Sequence, residues 1–159
     1  MEIAYYSFGN VDRPLGKIHD ERGAPILMKG EMVLAQDNDA GCEVLKVGGG
    51  LMGVLAPTIV FPDIGTGELY RTDRRYIYLR VPPLSRYAEA REAWIDNPLE
   101  FAERAKEWLK EGFREAVSIP VREVKKTVRK KKDRLIVLHV RHGGERYLVR
   151  LTPSIRPFL

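Results

Sequence analysis

The 159-residue chain contains a single cysteine, Cys42, so no internal disulfide can form. A disulfide-stapled secreted scaffold is thereby excluded, and a reducing, cytoplasmic setting is the simplest expectation. Amides are scarce: Gln36 is the only glutamine, and Asn10, Asn38 and Asn97 are the only asparagines. Beside 31% charged residues, that scarcity matches proteins from hot environments, where ion-pair networks gain value and thermolabile residues are avoided. No apolar run approaches the ~20 residues a membrane-crossing helix needs. Met1-Glu2-Ile3 shows neither the basic nor the apolar region of a secretory signal. Three histidines, His19, His139 and His142, have no ligand spacing, and no metal is expected. Asp37, Asp39 and Glu43 hint at a calcium loop, but Gly41 and Cys42 stand where its pattern needs other residues. The chain lacks G-x-S-x-G, H-E-x-x-H and paired-carboxylate motifs, so no catalytic residue and no cofactor is assigned. An enzyme whose site is assembled without local motifs stays as an alternative.

What is present is a single globular domain's worth of chain, 1–159, with 44% hydrophobic residues and room for a real core. Residues 1–30 read as irregular apart from a strand over Ile3 to Phe8. Short apolar runs follow at 26–28, 32–35 and 43–47, the last two separated by the turn-rich Asp37-Asn38-Asp39-Ala40-Gly41. Gly48-Gly49-Gly50-Leu51-Met52-Gly53 lacks the lysine of a phosphate loop and reads as a bend or bulge. Two strands around a polar corner are expected over 67–81, with Thr72, Asp73 and Arg74 at the corner. A Thr-Asp corner can bond its side chains back to the turn backbone.

The pattern changes at Pro82-Pro83. A short helix is expected over 85–95, placing Tyr87, Ala90, Trp94 and Ile95 on one face. Asn97 as N-cap, Pro98 at the first helical position and Glu100 three residues after the cap predict a second helix from 98 to about 116. Phe101, Ala105, Trp108, Gly112 or Leu109, Phe113 and Ala116 form its apolar stripe. Strands then return, and Gly143-Gly144 between two β-rich runs predicts a hairpin.

Gly67, Leu69, Tyr70, Thr72, Arg75, Ile77 and Leu79 resemble the G-x-L-Y-x-T-x-x-R-x-I-x-L pattern of PH-like domains, most of all the GRAM and bacterial-type groups. Lys29-Gly30-Glu31-x-x-Leu34 is similar to that family's opening segment. Ser118-Ile119-Pro120-Val121-x-x-Val124 is similar to its lead into a later strand. The resemblance implies an α+β, mainly β fold: a small PH-like barrel or two-sheet sandwich of about seven strands, here with an inserted helix pair at residues 84–116. It also implies a binding or scaffold module rather than an enzyme. PH-like domains usually end in a helix that plugs the barrel. The tail after Leu151, with Pro153 and Pro157, cannot form one, so the inserted helix pair is the candidate plug.

The net charge is +5, and it is local. Segment 122–134 holds eight basic residues, Arg122, Lys125, Lys126, Arg129, Lys130, Lys131, Lys132 and Arg134, against Glu123 and Asp133. That segment is therefore +6 and the remainder −1. Clustered Lys and Arg suit phosphate and carboxylate partners. The candidate ligand-binding residues are Lys125, Lys126, Arg129, Lys130, Lys131, Lys132 and Arg134, with an acidic protein partner or an anionic membrane surface as the ligand. That implies a cytoplasmic protein with a peripheral membrane association as one setting. A patch around Trp94 and Phe113 would serve equally as a dimer interface or as core. Nucleic acid ranks second, since the tyrosines do not interleave with the lysines as a stacking platform requires. The competing reading is that lysines on an edge strand only prevent sheet-to-sheet pairing. On a strand, Lys126, Lys130 and Lys132 would share one face, with Arg129 and Lys131 on the other. For Arg71, Arg74 and Arg75, pairing with Glu68, Asp73 or the helix is expected.

Overall fold

The computed structural model describes residues 1–6, 18, 20, 24–81, 97–111 and 114–159. In chain order these form β1 (Glu2–Tyr6), β2 (Val33–Val47), α1 (Gly50–Leu55), β3 (Thr58–Phe61), β4 (Gly67–Thr72), β5 (Arg75–Arg80) and α2 (Pro98–Glu111). Then follow β6 (Arg114–Pro120), a 3-10 turn (Val121–Glu123), β7 (Val124–Lys130), β8 (Leu135–His142) and β9 (Glu145–Thr152). The strands pair in the order β1-β6-β5-β4-β2-β9-β8-β7, with β3 added on β2, and every pairing is antiparallel. The mainly β, α+β class expected from the sequence is the one adopted: seven longer strands, with β1 and β3 as short edge strands beside them.

The long β2 joins the two halves. Its residues 33–40 pair with β4, whereas 41–47 pair with β9 on one side and 44–46 also pair with β3 on the other. The residues 37–41, expected to separate two strands, instead bend one strand. The register shifts between Asp37 and Ala40. A Cβ on Gly41 would stand 2.3 Å from Thr152 Oγ1, so any side chain there would force Thr152 on β9 to shift. Turn chemistry here produces a bend because ladder partners on both sides keep the chain extended.

One core lies between the halves. Leu69, Tyr76, Tyr78, Val117 and Ile119 from the first half meet Val44, Phe61, Ile136, Leu138, Val149 and Leu151 from the second. Every residue of β5 is buried, so its outer face is covered too: Ile77 and Leu79 cluster with Ile18, Tyr70 and Ala116. Cys42 sits in the main core, and burial pushes its thiol up, which leaves it unreactive.

The 67–81 corner forms as expected. Thr72 Oγ1 accepts from the Arg74 and Arg75 N–H groups (3.1 and 2.9 Å) and lies 2.7 Å from Glu31 Oε2. Arg75 pairs with Glu31 through both carboxylate oxygens (2.9 and 3.0 Å) and donates to the Ile26 carbonyl. Asp73 Oδ1 accepts from the Met32 N–H at 2.9 Å. The expected partners of Arg71 and Arg75 are thus corrected. Arg75 pairs with Glu31, reached across 44 residues, because burial demands a complete partner. Arg71 lies over the Tyr76 ring, 4.8 Å from its centroid. A Cβ at Gly67 would come 2.2 Å from the Leu79 carbonyl oxygen, so this motif glycine serves close strand approach.

The C-terminal segment is irregular, as its prolines require, yet it is anchored. Asp37 accepts from Ser154 N (2.5 Å), Ser154 Oγ (2.6 Å) and Ile155 N (3.1 Å). Phe158 is fully buried in the main core, and its carbonyl accepts from Arg129 at 2.6 Å. A tail that cannot be a helix thus inserts an aromatic ring into the sandwich.

Asn97 caps α2, with its Oδ1 accepting from Leu99 N at 3.0 Å. The helix ends by Glu111 rather than near 116, and residues 114–120 form β6. Helical spacing of Ala116 is overridden because β6 is sandwiched between β1, which pairs with 114–118, and β5, which pairs with 115–120; Phe113 lies outside the described residues. Glu115 is there the fully buried partner of Arg80, at 2.6 Å, and Arg80 stacks 4.0 Å over the Phe61 ring. The helix expected over 85–95 with Trp94, and the side chain of Trp108, lie outside the described residues. The expected plugging of the sandwich by an inserted helix pair lies outside them as well.

Candidate functional site: a basic edge strand and its groove

β7 ends the sheet, pairing with β8 alone among the described residues. Its burial alternates weakly: Val124 and Val128 are half-buried, while Lys125, Lys126, Thr127, Arg129 and Lys130 are exposed. The shared-face expectation is corrected in two respects. A bulge between Val124 and Lys126 displaces Lys125 from simple alternation. Lys131 and Lys132 leave the strand altogether and, with Asp133 and Arg134, form the turn into β8.

That turn is unusual for its residue types. Lys131, Lys132 and Asp133 have φ of 52°, 54° and 66°, three consecutive residues in the left-handed region. Glycine or asparagine is the ordinary occupant there, and a side chain such as lysine costs roughly 1 kcal/mol or more per position.

The segment's counter-charges are largely committed. Glu123 accepts from the Met1 nitrogen and faces His142 Nδ1 at 3.2 Å. Burial works to raise its pKa, but these two hydrogen bonds outweigh that and hold the carboxyl below its usual range. Asp133 lies 3.8 Å from Arg129, whose guanidinium also holds the Phe158 carbonyl. Lys125 Nζ lies 3.4 Å from the Arg122 carbonyl. Among the described residues, no ion pair forms at Lys125, Lys126, Lys130, Lys131, Lys132 or Arg134. Of the sequence candidates, then, six project unpaired cations, while Arg129 is half structural.

Two arginines join them that the charge run did not include. Arg141 on β8 stands directly opposite Arg146 on β9. Together with Lys125, His139, Val47 and Tyr147 they line a groove of about 370 Å³, and among the described residues no acidic one lines it. Like charges directly opposite on adjacent strands repel. The signal for this pair lies in the hairpin: once Gly143 and Gly144 (φ 57° and 80°) fix a two-residue turn, the register places 141 against 146. The cations therefore run the length of the β7–β8 edge, about 20 Å for seven residues, from the groove at one end to the lysine turn at the other.

A second cleft, about 770 Å³, opens beside the corner and is lined by Met28, Arg74, Ser118, Arg122, Glu123 and His142 among others. It mixes both signs of charge and, of segment 122–134, abuts only Arg122 and Glu123. No helix among the described residues is long and apolar enough to cross a membrane.

No family model matches the chain, and no curated protein matches it in sequence. Among solved structures, the chain is similar to the Vps36 N-terminal PH domain, with 12% identity over 97% of this chain and 82% of that one and a TM-score of 0.43.

Proposed function

We propose that this chain is a single PH-like, GRAM-like binding module that engages an extended acidic partner along the β7–β8 edge. The residues that carry it are Lys125, Lys126, Lys130, Lys131, Lys132 and Arg134, joined by Arg141 and Arg146. The observation behind this reading is the acid-free groove, in which two arginines face each other beside Lys125. An anionic group seated there would turn a repulsive pair into two charge-assisted contacts. The lysines at left-handed positions add support, because residues at a conformational cost cluster where binding needs them. The PH-like assignment draws on the corner network, where Glu31, Thr72 and Arg75 of the resembling motifs join.

Edge protection is the rival account, and it has a different charge requirement. Any charge guards an edge, whereas an acidic partner needs positive charge. Charge reversal at Lys125, Lys130 and Lys132 to Glu separates the two. Binding to vesicles with 30% phosphatidylserine, to an acidic peptide, to tRNA and to duplex DNA would be titrated at 50 and 200 mM salt. Salt-sensitive binding to vesicles or acidic peptide, lost on reversal and weakened tenfold or more in Arg141→Ala, is the expected result. Binding confined to nucleic acid gives the same residues a different partner. Wild-type indifference to all four probes leaves the lysines as edge guards and sinks the reading.

A further inference from the structure

The segment 47–62 holds no charged residue, and Thr58 is its only polar side chain, in a chain that is 31% charged overall. It leaves β2, turns through α1 and returns as β3. A helix does follow the triple glycine, contrary to the bend read from sequence, but it is not a buried one. Leu51 and Met52 are each 74% exposed, Leu55 68% and Ile59 56%. Four large side chains at that exposure present on the order of 400–500 Å² of apolar surface, the size of patch that marks an interaction site.

β3 adds a backbone observation. It pairs with β2 on one side, and among the described residues nothing pairs with its other side. The contrast with β7 is direct. That edge carries Lys125, Lys126, Arg129 and Lys130, while β3 reads Thr58-Ile59-Val60-Phe61 and has no charge. An unguarded apolar edge is a template for another strand. A bilayer would cover the apolar side chains but leave the strand's N–H and C=O groups without partners in hydrocarbon. A second strand satisfies both needs.

We infer that β3 and α1 form a two-fold interface with a second copy of this chain, the two β3 strands pairing antiparallel edge to edge. Such a contact is self-complementary, as a two-fold interface must be. It brings no charge of either copy into the contact, so two molecules of net +5 meet where neither carries charge. Pro57 and Pro62 limit the pairing to the residues between them, and a short register centred on Ile59 sets that residue directly opposite Ile59 of the second copy. Two patches together cover about 1,000 Å², at the lower bound of a stable interface, which predicts a dimer in the micromolar range.

Sedimentation velocity from 1 to 200 µM reads the assembly. The full chain should shift from monomer to dimer across this range. Leu51→Asp/Leu55→Asp should raise the dimer Kd at least 100-fold with an unchanged melting temperature, since both side chains are exposed. Ile59→Cys should form a disulfide-linked dimer on mild oxidation, whereas the unaltered chain, whose one thiol is buried, should not. A chain that stays monomeric at 200 µM, with no cross-link in the Ile59→Cys variant, overturns the inference. So does flotation with neutral vesicles that Leu51→Asp/Leu55→Asp abolishes, which would give the patch to lipid. Neither result bears on the β7–β8 cations, which lie on other strands.

Discussion

The molecule holds its charges in two ways, and the comparison separates structure from function. At the 72–75 corner, Arg75 and Glu31 are buried with every contact filled. The carboxylate takes both ends of the guanidinium, the Thr72 hydroxyl and the Met28 N–H. Along the β7–β8 edge the cations are exposed, and the nearby acids are already engaged elsewhere. A buried charge survives folding only when its partners are complete, so the corner is built as a closed unit. An exposed cation has no such constraint. A run of them without counter-charge is available to a partner from outside.

The sharpest way to break the comparison is to open the closed unit. Glu31→Ala would strand Arg75 in the interior and should destabilise the protein by about 3–5 kcal/mol. Glu31→Met/Arg75→Met together should recover a good part of that loss, because both charges leave with their desolvation cost. Chemical denaturation of the two variants checks this. Equal losses in both would mean that the corner's worth lies in its hydrogen bonds to Thr72 and the Met28 backbone rather than in the ion pair.

Acid tests the same unit more gently. Burial works to raise the Glu31 pKa, but the Arg75, Met28 and Thr72 hydrogen bonds outweigh it and bring the group from 4.5 down to about 2. The unfolded chain therefore takes up this proton first. The contribution is complete above about pH 5 and fades as pH falls toward 2, a loss of about 3 kcal/mol across that window. Asp37 titrates in the same sense: burial opposes its ionisation, but the Ser154 and Ile155 donors win and lower its pKa. Melting temperatures from pH 7 to 2 should drop steeply below pH 5, and Glu31→Gln should start lower and fall less. Parallel curves for the two proteins would contradict the assigned shift.

How much of this was legible depended on whether the signal was local. Thr72 announces a corner because its hydroxyl bonds to the backbone beside it, whereas Asp73 reaches Met32, 41 residues away. Asn97-Pro98 starts a helix, and Gly143-Gly144 closes a hairpin, for the same local reason. Glu31 could be placed in a motif, yet its partner 44 residues away could not be read from spacing. The bend of β2 was hidden because residues 37–41 carry turn chemistry that cross-strand partners on both flanks override. Likewise the end of α2 yields to the ladder of β6. Of the candidate site, the charge run was visible in full, but Arg141 and Arg146 acquire meaning only when register sets them face to face.

The smallest effect carries the most information about the exposed region. Lys131→Gly and Lys132→Gly each exchange a strained left-handed residue for one that tolerates positive φ. Relief of about 1 kcal/mol or more is partly offset by the freedom glycine gives the unfolded chain, so each should stabilise the protein by about 0.5 kcal/mol. At this chain length that is a rise in melting temperature of about 1–2 °C. Binding to anionic vesicles or acidic peptide should weaken in the same two variants. Stability and affinity then move in opposite directions at one position, which a purely structural lysine does not produce. Variants that melt higher and bind as before would place these two lysines with the edge guards and confine the ligand surface to Lys125, Arg141 and Arg146. If they melt lower instead, the turn depends on the lysine side chains for its own folding, and the division between closed corner and open edge no longer holds at this point.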